Sequence, residues 1–530
     1  MRVHKFFATI AVCTLAAAFL HPQTSATARA THPGTVLTPE IQSVLNAITP
    51  GNLRGNLSFL ASDLLQGRYT PSPGLDIAAE FIASQFRAAG LEPGAPDFFQ
   101  LADMVDRRMP RVQTAMVLVE GEETTEAPAD AIAVRGVNRA AHIEHSPVVA
   151  FSSCDPALLT GKDLAGKAVV VPQPAYQSMP GDQATDMFEK ARAFDEEVAA
   201  SQASIEIVVG KVRGMGNASR LIPADEAFAN RVPLIETSNE LLQKWMEHPA
   251  DGRSVSLDIP AAEDHRVTVK NVIAVLRGED PRLKDTYVLV TAHYDHIGTI
   301  ETARYMGAPA KGQSAKDRVY NGANDDGSGT VSVIEIGKAL AKLKQRPKRS
   351  IVFITFFGEE RGDLGSHYYG EHPAFPIAKT IADVNLEQVG RTDSTNGPQV
   401  NTASLTGFDY SDVTSYFVKA GRDTGVKVYL DKEASDAYFV RSDNAALALQ
   451  GVPAHTLTVA FDYPDYHGAG DEWQKIDYDN MARVDRMIAL GVLRLANSSV
   501  EPKWNAENPK TKPFLEAQEK LAGKTRIGRP

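Results

Sequence analysis

Apolar residues in the second half of the chain fall into short blocks, separated by loops rich in glycine and acidic residues. From Asn271 onward the blocks predict β-strands over residues 272–276, 287–292, 351–357, 381–386 and 456–461. Apolar positions at helical spacing predict a helix over residues 328–343. Strands that alternate with helices are typical of an α/β fold, here a mixed but largely parallel central sheet covered by helices.

The first half of the chain has a different pattern. Helical spacing of apolar residues predicts a helix over residues 75–89 that ends at Gly90. Between residues 111 and 263, short β-like runs stand between long polar stretches, and this region is interpreted as an inserted, smaller β-rich domain for binding or shielding. The α/β domain then comprises residues 31–110 and 264–500, and residues 501–530 form either a free tail or a surface wrap.

The N-terminus has the pattern of an export signal. Arg2 and Lys5 precede an apolar run over residues 6–20, and small residues follow up to Ala28 and Ala30. The pattern predicts a signal peptide over residues 1–30 and an exported protein, either periplasmic or secreted. The alternative is a retained anchor, but the apolar run is shorter than the roughly 20 residues that span a bilayer. No stable membrane insertion is expected after cleavage.

Chain length, net charge and cysteine count limit the kinds of protein that this chain can be. The chain has 530 residues, which exceeds what a single core supports, so more than one domain is expected. The formal net charge of −11 argues against a nucleic-acid partner, because phosphate binding needs a basic surface. With Cys13 in the predicted signal, Cys154 stands alone, so no internal disulfide is expected. The sequence does not indicate an oligomeric state.

Polar side chains with metal-binding chemistry follow four of the predicted strands. They are His293 and Asp295 after 287–292, Glu359 and Glu360 after 351–357, Glu387 after 381–386, and His467 in the loop after 456–461. Open α/β sheets place their sites at the carboxyl ends of strands. We therefore expect these side chains to meet, although a lone histidine in a loop is usually only polar surface.

Two acidic motifs strengthen this expectation. Asp325 and Asp326 stand in a glycine-rich turn over residues 321–329, where a single acid would be enough to cap the following helix, so Asp325 could bridge two cations. Glu359 and Glu360 would repel each other at the end of a buried strand unless a metal were present. One of them could then bind the metal, and the other could accept a proton from the attacking water.

The set of candidate ligands suits zinc. Two imidazoles and three carboxylates, one of them shared, fit two zinc ions about 3.5–4 Å apart. A structural zinc site made of cysteines is excluded by the cysteine count. Tyr466, next to His467, could donate a hydrogen bond to a developing oxyanion.

In their order along the chain, these motifs resemble the M28 metallopeptidases. The motifs are Phe59–Asp63, Gly67–Arg68, Thr291–Asp295, Asn321–Gly329, Phe356–Glu360, Asn385–Glu387 and Tyr466–His467. The resemblance runs from about residue 53 to 495 and implies a zinc-dependent exopeptidase fold. The inserted region more weakly resembles a protease-associated domain.

The resemblance also implies roles for individual residues. It places His293 and Glu387 on one zinc ion, Glu360 and His467 on the other, Asp325 between them, Glu359 as general base, Asp295 as the partner that orients His293, and Tyr466 as a stabiliser of the tetrahedral intermediate. Glu387 departs from the family, since many members have aspartate there, and its extra methylene alters the reach of the second site.

The activity expected from the resemblance is that of an exported aminopeptidase, which uses two zinc ions to cleave N-terminal residues from peptides with a free N-terminus. Four alternatives stay open on this scaffold. They are a carboxypeptidase, a dipeptidase, a glutaminyl cyclase with a single zinc ion, and a receptor-like ectodomain without activity.

Overall fold

The computed structural model describes residues 36–175, 181–212, 219–225, 232–305 and 317–527. The predicted signal peptide, residues 1–30, lies outside these ranges. None of the helices within them combines the length and the apolar character that crossing a membrane requires.

Helices and strands alternate through most of the described chain. The helices are α1 (Pro39–Leu45), α2 (Pro50–Leu60), α3 (Pro73–Ala88), α4 (Gly181–Ala200), α5 (Glu240–Glu247), α6 (Ile300–Tyr305), α7 (Gly329–Leu340), α8 (Leu364–Glu371), α9 (Val413–Thr424), α10 (Asn444–Ala448), α11 (Tyr478–Asn497) and α12 (Lys512–Ile527). The strands of the first half are β1 (Glu92–Pro93), β2 (Phe99–Arg108), β3 (Met116–Glu120), β4 (Glu123–Ala127), β5 (Ile132–Gly136), β6 (Ala141–Ala150), β7 (Ala168–Pro172), β8 (Ile205–Val209), β9 (Ser219–Pro223), β10 (Leu234–Thr237) and β11 (Arg253–Ile259). Those of the second half are β12 (Glu263–Leu276), β13 (Tyr287–His293), β14 (Gly298–Thr299), β15 (Val319–Tyr320), β16 (Ser350–Phe356), β17 (Thr380–Leu386), β18 (Asp393–Ser394), β19 (Gly397–Pro398), β20 (Thr402–Leu405), β21 (Lys427–Tyr429) and β22 (Ala454–Thr458).

The larger sheet confirms the predicted mixed α/β fold. Its strands follow the order β21-β20-β22-β17-β13-β16-β12-β2-β9, and β1 pairs beside β12. The four neighbouring strands β22, β17, β13 and β16 run parallel. On either side the pairing turns antiparallel, between β16 and β12 and between β22 and β20. The parallel part is thus mainly the centre, and it holds all the strands that carry candidate ligands.

Burial on both faces explains why the central strands are apolar throughout. Every residue of β13, β16 and β17 is buried. Alternate residues enter different cores: Val288 and Val290 pack with α3, α7 and α11, whereas Leu289 packs on the opposite face with α8, α10 and α12. The result is a sheet with helices on both sides.

A second sheet lies within the region interpreted as an insertion. Its order is β4-β3-β11-β6-β7-β8-β10-β5, and it has separate apolar cores around Trp245 and Phe194. One strand of the region, β9, does not join it. Ser219–Pro223 pairs antiparallel with Met104–Arg108 of β2, at the edge of the larger sheet.

Individual elements follow the predictions with small differences. The helix expected over 75–89 is α3, which begins earlier because Ser72 caps it by accepting a hydrogen bond from Leu75 N. The strand expected over 456–461 is wrong at its C-terminal end, since β22 stops at Thr458. Cys154 is buried, donates to Pro172 O at 3.2 Å, and has its pKa raised to about 12, mainly by burial.

The last described residues pack against the sheet. Trp504 and Phe514 are buried and stack with ring centroids 4.9 Å apart. Trp504 also donates its indole N–H to Gly451 O at 3.1 Å. Trp504 and Phe514 belong to the same buried apolar cluster as Leu447 and Ala448 of α10.

Candidate metal centre

The parallel strands deliver the candidate ligands to one edge of the larger sheet. His293 is the last residue of β13 and pairs with Phe356, the last residue of β16. Glu359 and Glu360 follow β16 within a few residues, and Glu387 comes directly after β17. His467 stands in the loop after β22. The topology therefore brings ligands that are distant in sequence to the same edge.

Asp325 is the shared residue of the cluster. Its Oδ1 lies 3.3 Å from His293 Nε2, and its Oδ2 lies 3.1 Å from His467 Nε2. His467 Nε2 is also 3.2 Å from Glu360 Oε2. Ligand atoms of His293, Asp325 and Glu387 lie within 4.8 Å of one another. The structure thus brings together all five predicted metal ligands.

The arrangement fits a pair of cations. Two atoms that each lie about 2.0–2.2 Å from a tetrahedral zinc ion are themselves about 3–3.6 Å apart, as these donors are. His293 Nε2 and Asp325 Oδ2 are buried and have no hydrogen-bond partner within the described part of the chain. Polar atoms that converge without bonding to each other leave room for an ion between them.

Electrostatics point in the same direction. Burial, followed by the neighbouring carboxylates, raises the pKa of Asp363 to about 7 and that of Asp443 well above its usual value. Burial is also the main cause that raises the pKa of Glu387 above its usual value. Acids this close together, buried or partly buried, are costly without compensating positive charge, which divalent cations would supply.

Glu359 and Tyr466 border the ligands. Glu359 Oε2 lies 3.8 Å from His293 Nε2, and burial is the main cause that raises the pKa of Glu359 well above its usual value. The Tyr466 ring stacks on the His467 ring, with centroids 4.1 Å apart. Burial and the surrounding carboxylates raise the pKa of Tyr466, so its hydroxyl stays protonated and can donate.

Asp295 supports two of these groups at once. His293 Nδ1 lies 3.3 Å from the Asp295 backbone oxygen and 3.5 Å from its Oδ1. Asp295 Oδ1 accepts from Glu359 N at 3.2 Å, and its Oδ2 accepts from Thr70 Oγ1 at 3.0 Å. It therefore lies where it can orient His293 while it also holds the backbone of Glu359.

The turn that carries Asp325 is held by another buried acid. Asp471 accepts from Asn324 N at 3.0 Å and from Asp325 N at 3.1 Å. Tyr463 donates its hydroxyl to Asp471 at 3.0 Å. The peptide bond between Asp325 and Asp326 is cis. The sequence reasoning assigned no role to Asp471, because its contact with this turn exists only after the loops fold together.

Arg68 connects several of the loops that surround the candidate ligands. Its guanidinium is buried and donates to four backbone oxygens, those of Leu60, Tyr294, Asn321 and Gly322, at 2.6–2.9 Å. Burial lowers the pKa of Arg68 to about 10, against the opposing effect of nearby carboxylates. Arg68 thus links the segment after α2 to the His293 loop and the Asp325 turn.

Arg361 anchors the loop that carries the two glutamates. It donates from Nη1 to Thr70 O at 2.9 Å and from Nη2 to Ser219 O at 2.8 Å. Its guanidinium also lies over the Tyr69 ring, 5.3 Å from the centroid. Because Ser219 begins β9, a strand of the region interpreted as an insertion contacts this loop.

His296 is a member of the cluster that the sequence reasoning missed. It is fully buried, and its Nδ1 lies 2.6 Å from Glu360 Oε1. Ligand atoms of His296, Asp325 and Glu360 lie within 4.8 Å of one another. Gly322 makes room for the ring, since a Cβ there would be 2.4 Å from His296 Cγ. The available signal was a second histidine three positions after His293, directly behind Asp295.

Comparison with known proteins points to a family of peptidases. Residues 271–492 match the family model described as Peptidase family M28. A probable zinc metalloprotease of Phaeosphaeria nodorum is 24% identical over 273 residues, which are 47% of this chain and 52% of that protein. A probable leucine aminopeptidase 2 of Aspergillus oryzae is 26% identical over 58% of this chain and 61% of its own length.

A solved structure shares the fold. The aminopeptidase from Aneurinibacillus sp. strain AM-1 superimposes with a TM-score of 0.54 at 20% identity, over 85% of this chain and 95% of its own. The two curated relatives named above are matched over about half and about three fifths of their own length. The part of this chain that contains every predicted ligand, residues 271–492, thus matches peptidase family M28.

Proposed function

We propose that this protein is a zinc-dependent aminopeptidase that removes the N-terminal residue of peptides. The observation that carries the proposal is the convergence of His293, Glu387, Glu360 and His467 around the shared carboxylate of Asp325. The names of similar proteins, zinc metalloprotease and leucine aminopeptidase, support this choice among the activities open to the fold.

Two zinc ions would be held by this set. His293 and Glu387 would bind one, Glu360 and His467 the other, and Asp325 would bind both. When bound, zinc polarises a carbonyl oxygen and lowers the pKa of a water molecule next to it.

The chain's own groups would carry the proton transfers. The Glu359 carboxylate takes a proton from the attacking water and later gives it to the leaving amine. The Tyr466 hydroxyl donates a hydrogen bond to the carbonyl oxygen as negative charge develops there. Asp295 is a positioning residue, because it holds both the His293 ring and the Glu359 backbone.

Neighbouring glutamates provide a matched test. Glu359→Gln should retain zinc but lose about 10²–10⁴-fold in kcat, because it removes the base and spares the ligands. Glu360→Gln should instead lose zinc. Elemental analysis and turnover of a peptide substrate are measured on both variants. A fully active Glu359→Gln protein would refute the assignment of the base.

Blocked peptides separate the aminopeptidase from its alternatives. Acetylation of the substrate N-terminus should abolish cleavage, whereas amidation of the C-terminus should not. The opposite result would indicate a carboxypeptidase, and activity limited to two-residue substrates would indicate a dipeptidase. Release of ammonia from an N-terminal glutamine without peptide cleavage would indicate a glutaminyl cyclase.

Export and the inserted region belong to the same proposal. We infer that residues 1–30 direct export and that the second sheet is a protease-associated module that shields the site. Protein recovered from the periplasm or the medium should begin just after Ala28 or Ala30. Recovery of the intact N-terminus from the membrane fraction would contradict cleavage.

A further inference from the structure

Arg391, four residues after Glu387, is a buried charged residue that the proposed chemistry does not use. It lies between β17 and β18 and is only 3% exposed. Burial alone would lower the pKa of Arg391, but its bonds to Asp393 and Asp465 raise it above the ordinary value, so the guanidinium stays charged. A buried charge is costly unless it is paired. The partners of Arg391 therefore show which parts of the molecule it holds.

The guanidinium of Arg391 is shared between two carboxylates. Its Nε donates to Asp393 Oδ1 at 2.7 Å, and its Nη2 donates to Asp393 Oδ2. Its Nη1 donates to Asp465 Oδ2 at 3.0 Å. The group also lies over the Tyr463 ring, 5.3 Å from the centroid. Asp393 and Tyr463 thus fix the plane of the guanidinium, and its remaining nitrogen is directed at Asp465.

Asp465 belongs to the loop that carries His467. Within this loop, residues 462–471, the Asp465 backbone oxygen accepts from Gly468 N at 2.8 Å. A Cβ at Gly470 would lie 2.4 Å from Asp465 Oδ1, so the loop folds back closely on that carboxylate. Because Asp465 is part of this tight turn, a bond to its carboxylate restrains the turn around His467.

The backbone of His467 requires such a restraint. Its φ is +50°, in the left-handed region that residues other than glycine rarely adopt. Conformations of this kind persist only where the surrounding structure holds them. In this conformation His467 Nε2 lies 3.1 Å from Asp325 Oδ2 and 3.2 Å from Glu360 Oε2. If the loop relaxed, the ring would move away from both carboxylates.

Arg391 is also connected to the turn that carries Asp325. Its backbone N and Gly390 N both donate to Asn324 Oδ1 at 2.9 Å. Asn324 directly precedes Asp325, the residue shared by the two proposed zinc ions. Through its backbone and its side chain, Arg391 therefore joins the Asp325 turn to the His467 loop.

We propose that Arg391 is a positioning residue of the metal centre, which acts through Asp465 to hold His467 and the neighbouring Tyr466 in register with Asp325. The inference rests on the function proposed above, in which His467 binds zinc and Tyr466 contacts the carbonyl oxygen under attack. Loss of the bond should then affect zinc binding and the chemical step, and should leave binding of the substrate almost unchanged.

Arg391→Lys tests the proposal, because lysine keeps the positive charge but cannot bond both carboxylates in the same planar fork. In a zinc titration against a competing chelator, the variant should bind zinc about 10–100-fold more weakly than the wild type. At saturating zinc, kcat for a peptide with a free N-terminus should fall by about tenfold while KM stays within about twofold. The reason is that the Tyr466 hydrogen bond strengthens only as charge develops on the carbonyl oxygen.

Substitutions at the partners test the route through Asp465. Asp465→Asn should reproduce the losses of Arg391→Lys, and the double variant should be no worse than either, because both changes remove the same interaction. Lys475 bonds to the same carboxylate oxygen at 2.9 Å, but its side chain is 45% exposed. Since exposed ion pairs contribute little, Lys475→Gln should change zinc affinity by less than about twofold.

Arg253→Lys is the matched control. Arg253 of β11, in the second sheet, is 9% exposed and donates from Nε to Glu120 Oε1 at 2.8 Å. Its guanidinium lies over the Trp245 ring, 5.3 Å from the centroid, as that of Arg391 lies over Tyr463. The control should lose stability in denaturant unfolding but keep the zinc affinity and kcat of the wild type. Equal losses in the control would assign the effect to general destabilisation and overturn the proposal.

The remaining outcomes separate this inference from the activity on which it rests. Wild-type zinc affinity and kcat in Arg391→Lys would overturn the positioning role, as would a raised KM with unchanged kcat, and either result leaves the aminopeptidase standing. Losses that add in the double variant would overturn the route through Asp465. A wild-type protein that binds no zinc and cleaves no peptide overturns the proposed function, and this inference with it.

The test does not depend on the folding of one variant. The Asp465 side chain is 22% exposed, so Asp465→Asn changes a site closer to the surface than Arg391 and gives the same two measurements if Arg391→Lys does not fold.

Discussion

At the scale of single residues, Glu360 shows how a carboxylate is aimed. Its Oε2 faces His467 at 3.2 Å, whereas its Oε1 lies 2.6 Å from His296 Nδ1. A close polar neighbour at one oxygen of a candidate metal-binding carboxylate limits the directions in which the other oxygen can point. Burial would raise the pKa of Glu360, but His467 and His296 outweigh it and hold the value at about 2.

Substitutions at His296 test this arrangement. His296→Leu should weaken zinc binding by about 10–100-fold, the usual effect of losing a partner of a metal ligand. His296→Asn should restore much of that affinity, because its amide nitrogen can occupy the place of Nδ1. The measurement is zinc titration against a competing chelator.

The same pair of variants can contradict the interpretation. If His296→Asn bound zinc no more tightly than His296→Leu, His296 would be a direct metal ligand rather than a partner that positions Glu360. If leucine caused no loss of affinity, His296 would have no part in the metal centre.

The convergence of the candidate ligands was predictable from sequence, whereas the contacts that hold their loops were not. His293, Glu360 and Glu387 each follow an apolar strand block, so the topology of a parallel sheet was enough to bring them together. The contacts of Arg68 and Asp471 depend on how separate loops fold over each other. No periodic pattern records such contacts.

At the scale of elements, apolar composition predicted the centre of the sheet better than its ends. Val459 and Ala460 are apolar and buried, yet they lie in a loop after β22, and Phe461 lines a cavity beside the metal centre. Burial against a folded loop produces the same composition as burial in a strand. The edge strand β9 was not predicted, because it has only five residues and most of them are not fully buried, so they form no apolar run.

The C-terminal segment makes an energetic contribution that can be measured. Trp504 is 4% exposed, stacks on Phe514 and bonds to Gly451 O. Trp504→Ala should reduce the free energy of unfolding by about 3–5 kcal/mol, as large-to-small changes in cores do. Denaturant unfolding measures the change, and zinc content should stay the same.

An exposed neighbour gives the control for this measurement. Val500 is 39% exposed, so Val500→Ala should change the free energy of unfolding by less than about 0.5 kcal/mol. A similarly small effect for Trp504→Ala would show that the segment rests on the surface without stabilising it.

At the scale of the whole molecule, the two sheets should respond differently to pH. Glu206 of β8 is 4% exposed, and burial, followed by Asp195, raises its pKa to about 9. The folded state therefore holds a proton that the unfolded chain releases above its ordinary pKa near 4.5. This contribution to stability is complete below that value and is lost as pH rises towards about 9.

Calorimetry can isolate this effect. The unfolding transition of the second sheet should move to lower temperature between pH 5 and pH 8, and Glu206→Gln should flatten that dependence. Glu197→Gln, at an exposed site on α4, should keep the wild-type profile. A pH dependence that survives in Glu206→Gln would assign it to other groups.

The placement of β9 limits how this protein can be taken apart. By chain order β9 belongs to the region interpreted as an insertion, but it forms the edge of the other sheet, and Ser219 O accepts a hydrogen bond from Arg361 in the loop that carries the two glutamates. A deletion that joins residue 110 directly to residue 264 would remove the second sheet and, with it, the contacts that β9 makes to β2 and to Arg361. In evolution, loss of residues 111–263 would therefore require another contact to hold the candidate active-site loop, so the two parts are expected to be inherited together.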